Sequence, residues 1–251
     1  MPVQFYYHPN SPPSKAIWMI LEHMGLDYEP HVVDLFTDEH KKPEYLKINP
    51  LAQVPAIVDD GFPMWESRAM AAWLINQYGA QCKKSSLYPT DAKSKAIVDM
   101  ALYTDSSIYE GRLLPYLNIG GVFKGEGIAE DKIDDLKAGL KMYEYALSKH
   151  KFMAGDHLTI ADFSALNSMY VLSYVEFKGW SDYPNISRWF EKEMKVLPCF
   201  AKCIQEPKDV FKEMYQGALA ARKQSEAPAE TPEPEANTTE QSTETNDQQS
   251  A

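Results

Sequence analysis

The chain has 251 residues, 44% of them hydrophobic and 24% charged, which suits one large or two small globular domains. Its net charge is −11, but seven of the acids lie between Gln224 and Ala251, where there is no Lys or Arg; the rest is only mildly acidic, so nucleic acid is not an expected partner. No run reaches the roughly 18 apolar residues of a membrane span, so no membrane association is expected.

The N-terminus, Met1 to Tyr7, has no basic segment ahead of a long apolar stretch, so no secretory signal is expected. Residues 1–79 alternate strand and helix signals. Val3 to Tyr7 reads as a strand. Pro13 to Met24 reads as a helix, with Ala16, Ile17, Ile20, Leu21 and Met24 at helical spacing and Gly25 to close it. Tyr28 to Leu35 is a second strand and His40 to Ile48 a short helical region. Ala56 to Val58 and Phe62 to Trp65 are strands joined by the tight turn Asp59-Asp60-Gly61. Glu66 to Tyr78 is a helix. The order βαβ then ββα predicts a thioredoxin-like α/β domain.

Residues 80–89 read as a polar linker. Residues 90–223 are almost wholly helical, giving an all-α C-terminal domain. Its predicted helices are Lys93 to Tyr116, broken near Pro115, Asp131 to Ser148, Ile160 to Val175, Ile186 to Lys195, Pro198 to Ile204 and Val210 to Arg222. Thr159-Ile160-Ala161-Asp162 has the form of a capping box, a folding element rather than a catalytic one. Residues 224–251 hold no large apolar side chain and are expected to be a disordered acidic tail. Three cysteines, Cys82, Cys199 and Cys203, without a C-x-x-C, argue against a disulfide framework or a zinc site and fit a reducing, cytoplasmic setting. No metal is expected.

The most informative stretch is Asn49-Pro50-Leu51-Ala52-Gln53-Val54-Pro55, followed by Glu66-Ser67-Arg68. Proline just ahead of an apolar strand removes a ladder donor. A cis bond at Pro55 would turn the Val54 N–H and C=O outward, where an extended peptide adds as an antiparallel strand. For a lone Val-Pro, an ordinary trans proline at a strand start is the commoner reading. Ser67 opens a helix, where free N–H groups favour a carboxylate, and Glu66 accepts from an ammonium; simple capping by Ser67 is the plain alternative. Ser11-Pro12-Pro13-Ser14-Lys15 lies where a thioredoxin-like fold carries its reactive C-x-x-C thiols. Both positions are serine, which excludes disulfide exchange there. A hydroxyl at a helix start remains, able to donate to a bound thiolate, unless Ser11 is only a cap.

These residues, with Tyr6-Tyr7, His40-x-x-Pro43-Glu44-Tyr45-Leu46-Lys47-Ile48-Asn49-Pro50, Trp65 to Ala69 and Leu158 to Asp162, resemble cytosolic glutathione S-transferases of the serine type, most like the insect delta and epsilon classes, with theta as a relative. The resemblance spans residues 3 to about 205. It implies conjugation of glutathione, a co-substrate, to small hydrophobic electrophiles. Peroxidase, dehydrochlorinase or isomerase side activity would use the same thiolate. The alternative is a non-catalytic binding or structural member of the fold. The resemblance assigns Ser11 to the glutathione sulfur. Val54 and Pro55 go to the cysteinyl backbone, Glu66, Ser67 and Arg68 to the γ-glutamyl end, and His40 to the glycyl end. Tyr7 is the competing sulfur donor, and Ser11 is favoured. The resemblance also implies a homodimer. Helix placement puts the electrophile against Tyr103, Ser107, Tyr109, Arg112, Leu113 and Tyr116, near Phe200. Two departures stand out. Ala52 replaces a usual histidine, which removes one contact to the glycyl carboxylate: either glutathione binds more weakly, or His40 and Lys15 carry that load. Ser14-Lys15 replaces the usual Cys-Arg, and lysine lacks arginine's bidentate grip.

Overall fold

The computed structural model describes residues 2–122, 126–175, 177–207 and 210–226. Strand β1 (Val3–Tyr7) buries Val3, Phe5 and Tyr7 on one face and leaves Gln4 and Tyr6 half-buried on the other, as a two-residue period requires. Helix α1 (Pro12–Met24) starts on proline, which costs nothing where an N–H would be unpaired. It ends at Gly25, whose φ of 63° closes the last turn. Strand β2 (Tyr28–Val32) is shorter than predicted, because the chain leaves the sheet after Val32. A 3-10 turn at Glu39–Lys41 and the short helix α2 (Pro43–Leu46) follow. Strands β3 (Ala56–Asp59) and β4 (Phe62–Met64) flank a turn in which Asp60 and Gly61 both have positive φ, the hairpin geometry expected of Asp-Gly. Helix α3 (Ser67–Tyr78) ends the α/β unit.

The sheet order is β2-β1-β3-β4, with β1 parallel to β2 and the other pairs antiparallel. One face carries Phe5 and Ile57 into a core with Ile17, Leu21, Met70 and Leu74 of α1 and α3. The other face packs Tyr6, Val33 and Ala56 under Tyr45 of α2.

Helix α4 (Ala92–Ile108) is capped by Asp91, which accepts from the Ser94 N–H at 2.9 Å. The stretch to Tyr116, expected to break near Pro115, breaks earlier and falls into three pieces: α4, a π-helical turn at Tyr109–Leu113, and α5 (Leu114–Leu117). Pro115 has no N–H to bond back, and the widened turn before it absorbs the mismatch. Helices α6 (Ile119–Val122), α7 (Ile133–Lys149), α8 (Ile160–Tyr170), α9 (Pro184–Trp189) and α10 (Pro198–Phe200) follow, with π turns extending the last two. Helix α11 (Val210–Glu226) runs three residues into the stretch expected to be disordered; positions 227–251 lie outside the described residues.

The capping box is present at the start of α8. Asp162 also accepts from the Met153 N–H at 2.9 Å and the Trp189 indole at 3.0 Å, joining the box to α9. Burial pushes its carboxyl up to about 6, against the pull of these donors. Helix α8 is buried almost throughout and packs against α1, so one apolar core runs through both halves. Cys199 and Cys203 are buried free thiols, and burial raises Cys199 to about 11, which keeps it protonated and inert. Among the described residues no helix is long and apolar enough to cross a membrane.

Candidate functional site

Strand register brings the sequence-predicted residues to one end of the sheet. Tyr6 pairs with Ala56 and β1 runs antiparallel to β3, so the chain after Tyr7 and the chain before Ala56 meet at the same edge. Ile57 pairs with Met64, so the residues after β4 emerge there too. Tyr7 pairs with Val32 in parallel, which sends the segment toward His40 to that edge as well. Ser11, Val54-Pro55, Glu66-Ser67 and His40 are therefore gathered by topology.

Ser11 stands at the cap position of α1, with extended backbone (φ −76°, ψ 120°). Its N–H donates to the His8 carbonyl at 3.0 Å and its carbonyl accepts from the Lys15 N–H at 2.9 Å. Its side chain makes no capping hydrogen bond, so the hydroxyl is not used up in closing the helix. Ser14, by contrast, is fully buried and accepts from the His8 N–H at 3.4 Å. Tyr7 is on the core face. It stacks on Phe5 at 4.6 Å and leans on Trp18 at 5.4 Å, and its phenol is pushed up first by burial and then by Cys203. A phenol made less acidic and turned into the core is a poor partner for a thiolate. Lys15 does not serve the glycyl end as expected. It is 1% exposed, with its ammonium 5.0 Å from the Tyr170 ring in the α1–α8 seam.

The Val54-Pro55 bond is cis. The loop before it is held from inside. Asn49, itself buried, donates through Nδ2 to the Gln53 carbonyl at 2.7 Å, and Tyr45 donates to the same oxygen at 2.6 Å. Asn49 Oδ1 accepts from the Leu51 N–H at 3.0 Å. Within this braced loop Val54 makes no backbone hydrogen bond among the described residues, so its N–H and C=O form a short open strand edge.

Glu66 occupies the cap position of α3, and Ser67 is the first helical residue, so Ser67 is not the cap. Glu66 has φ 68° and ψ 98°, outside the normal left-handed well. Such a conformation costs about 1–3 kcal/mol in a non-glycine residue and concentrates at ligand clamps. It opens the first-turn N–H groups of α3 toward the sheet edge. Arg68 is committed inward. Its Nη2 lies 2.6 Å and its Nε 3.1 Å from Asp105 Oδ2. Asp105 is 1% exposed and also accepts from Ser164 (2.6 Å) and Tyr143 (2.7 Å). This network joins α3 to α4, α7 and α8. Its members other than Arg68 escaped the sequence reading, although Asp105 is an acid on the apolar stripe Val98, Leu102, Ile108 of α4, which is the signal of a paired buried charge.

Beside the sheet edge lies a cleft of about 490 Å³ between the two halves. Pro12, Phe36 and His40 line one side, Tyr109, Val171 and Tyr174 the other, and Phe211, Met214 and Tyr215 of α11 close it. His40 Nδ1 is buried without a hydrogen-bond partner among the described residues, a polar group facing a largely apolar space. His8 supports the floor. Its Nδ1 accepts from the Asn10 N–H at 3.3 Å, its ring meets Phe36 and Phe211 at 5.9 and 5.3 Å, and burial lowers its pKa.

Of the predicted electrophile residues, only Tyr109 lines this cleft. Leu113 and Tyr116 are core side chains, and Phe200 is buried against Phe190 at 5.8 Å. Arg112 donates to the Asp135 carbonyl of α7 at 3.1 Å, and Tyr103 and Ser107 are exposed on α4. The π turn at Tyr109–Leu113 inserts one extra residue, which rotates the face that follows it by about 100° and re-aims Tyr116, whereas Tyr103 and Ser107 precede the turn and sit on the exposed side of α4. Helix α11 was missed as a wall because nothing local in its sequence says where it docks.

A thioredoxin-like sheet with a cis proline at its open edge, joined to a helical domain across an apolar cleft, defines a thiol-peptide-binding transferase fold. The glutathione S-transferase N-terminal domain matches residues 10–77 and the glutathione S-transferase C-terminal domain residues 92–195. The chain is 31% identical over 197 residues to glutathione S-transferase D7 of Drosophila melanogaster, covering 78% of this chain and 86% of that protein. A delta-class glutathione transferase structure from Nilaparvata lugens superposes with a TM-score of 0.79 at 32% identity, covering 86% of this chain and all of that one (100%). A glutathione transferase homologue from Drosophila mojavensis, solved with bound glutathione, gives a TM-score of 0.76 at 29% identity over 88% of this chain and 97% of that one. The chain belongs to the glutathione S-transferase family and is a glutathione S-transferase enzyme.

Proposed function

We propose that this enzyme conjugates the glutathione thiolate to small hydrophobic electrophiles in the interdomain cleft, with Ser11 as the sulfur ligand. The observation that carries the reading is the uncapped Ser11 hydroxyl at the start of α1, on the same sheet edge as the open Val54 backbone. A free thiol has a pKa of about 8.5, and lowering it by about two units takes roughly 2.7 kcal/mol. One hydrogen bond to a charged group supplies about 1.5–3 kcal/mol, so a serine hydroxyl aided by a helix N-terminus suffices without a metal.

In this reading the cysteinyl backbone pairs with Val54. The γ-glutamyl carboxylate meets the first turn of α3 at Ser67, and its ammonium meets Glu66. The glycyl end meets His40, whose buried Nδ1 has no other partner among the described residues. Arg68 acts from behind, holding the α3 start through Asp105. The electrophile packs on Phe36, Tyr109, Tyr174, Phe211 and Tyr215.

The proposed assembly is a homodimer. Ile97, Met100 and Tyr103 recur at three-residue spacing on α4 and are 37%, 64% and 78% exposed, with Leu51 and Phe62 also exposed on the α/β unit. The proposed location is the cytoplasm, which suits three free cysteines.

The test is retention on immobilised glutathione together with conjugation of a chlorodinitrobenzene. Retention and turnover are expected. Retention without turnover would favour a non-catalytic binding member of the fold, and failure of both would sink the assignment of the sheet edge.

A further inference from the structure

His8 holds the turn that carries Ser11 at three points. Pro9 and Asn10 form the corner, and the Ser11 N–H closes it on the His8 carbonyl at 3.0 Å. The Asn10 N–H donates to the His8 ring at Nδ1, 3.3 Å away, and the His8 N–H donates to Ser14 Oγ at 3.4 Å. His8, Asn10 and Ser14 are all buried, where water competes little for such bonds. An acceptor on the first side chain of a turn, reaching the N–H two residues on, is the arrangement that asparagine and aspartate make. Proline at the second position suits it. Here a histidine does the same with a longer, flat side chain.

That ring reaches farther than an amide would. It meets Phe36, from the loop after β2, at 5.9 Å and Phe211 of α11 at 5.3 Å. Both phenylalanines line the interdomain cleft, so the ring stands between the cleft wall and the turn. From the helical half, Tyr174 donates to the Asn10 carbonyl at 3.5 Å. The peptide that leads into Ser11 is thus held from both domains. For Nδ1 to accept, the ring must be neutral with its proton on Nε2. Burial, the largest influence, lowers the His8 pKa; Asp34 pulls the other way, and Lys15 adds to the lowering. A hydrogen bond weakens steeply with distance and angle, so a turn that swings takes the Ser11 hydroxyl off the sulfur.

We propose that His8 is a positioning residue for conjugation: its ring, gripped by Phe36 and Phe211, fixes the turn that presents Ser11 to the glutathione sulfur. This role rests on Ser11 as the sulfur ligand, through which His8 acts.

The test compares His8→Phe, His8→Leu and His8→Asn with the parent and with Ser11→Ala in the full chain. Ultraviolet absorbance gives the fraction of bound glutathione present as thiolate at neutral pH, and steady-state kinetics give kcat and KM. His8→Phe keeps an aromatic ring but withdraws the acceptor from the Asn10 N–H, and His8→Leu repeats the loss with an aliphatic side chain. Each is expected to lower the thiolate fraction and kcat together by about three- to tenfold, with KM for glutathione within about twofold of the parent. His8→Asn restores the acceptor without the ring, and is expected to hold the thiolate fraction within about twofold of the parent while KM for the electrophile rises. The thiolate fraction is read per bound glutathione, so a loss of folded protein does not mimic the result. A drop in Ser11→Ala with parent values in His8→Phe or His8→Leu would overturn the positioning role alone. Parent values in Ser11→Ala would overturn the sulfur assignment and His8 with it. A thiolate fraction as low in His8→Asn as in His8→Phe, or loss of all glutathione binding in the three His8 variants, would show a merely structural residue.

Discussion

Asp105 Oδ2 lies 2.6 Å from Arg68 Nη2, and the same buried carboxylate accepts from Ser164 and Tyr143. The α/β unit supplies the guanidinium and the helical unit everything else, so this ion pair is also a domain joint. Arg68 directly follows Ser67, so the joint fixes the helix start at which the γ-glutamyl end is proposed to bind. Removing one partner of such a pair leaves a buried charge and costs about 3–5 kcal/mol. Asp105→Ala should lower stability in urea by that order and raise KM for glutathione more than it lowers kcat. A variant of unchanged stability would show that the pair is incidental.

Ser11→Ala removes a hydroxyl that caps nothing, so thermal stability should stay within about 0.5 kcal/mol of the parent. Turnover at neutral pH should fall more than about tenfold, because the thiol regains its ordinary acidity. The loss should shrink as pH rises toward about 8.5, where the thiolate forms unaided. A deficit that stays constant across pH would assign Ser11 a role other than lowering the thiol pKa.

Ala52 has φ 54° on the loop that ends at Val54. Histidine is among the non-glycine residues enriched in that region, so Ala52→His is sterically tolerable. It should tighten glutathione binding severalfold by adding a contact to the glycyl carboxylate. His40→Ala should weaken binding, and less so in the Ala52→His background. Calorimetric titration of the four combinations measures the coupling.

His23 packs on Phe163, with its Nε2 3.0 Å from Lys84 Nζ. Burial first, and the Lys84 charge second, lower its pKa from 6.5 to about 4. The unfolded chain takes up this proton near 6.5 while the folded chain refuses it until about 4. Stability is therefore full above 6.5 and declines as pH falls through that window. His23→Phe should flatten the pH dependence of the urea midpoint between about pH 7 and 5, and an unaltered slope would remove His23 as the source.

Phe211 touches both His8 and Phe36 and lines the cleft from α11. Phe211→Ala should raise KM for an apolar electrophile by about tenfold, roughly the value of one well-buried aromatic contact, and leave KM for glutathione within about twofold. Equal changes in both constants would place α11 in the glutathione site instead.

Sequence alone determined the parts whose cause is local. The two-residue alternation of Val3 to Tyr7, the Asp60-Gly61 turn, Gly25 after α1 and the Thr159–Asp162 box each depend on neighbours a few positions away, and each stands where it was read. The two-serine loop after β1 and the proline before β3 likewise pointed to a thiol ligand without disulfide chemistry. Tertiary structure decided what depends on register and docking. It turned Lys15 into the α1–α8 seam, committed Arg68 to Asp105, and dispersed all but Tyr109 of the predicted electrophile residues. It also supplied Phe211, Met214 and Tyr215 from a helix far along the chain. A π turn of one extra residue re-aims every side chain after it, and a buried charge goes wherever its partner lies, however distant in sequence.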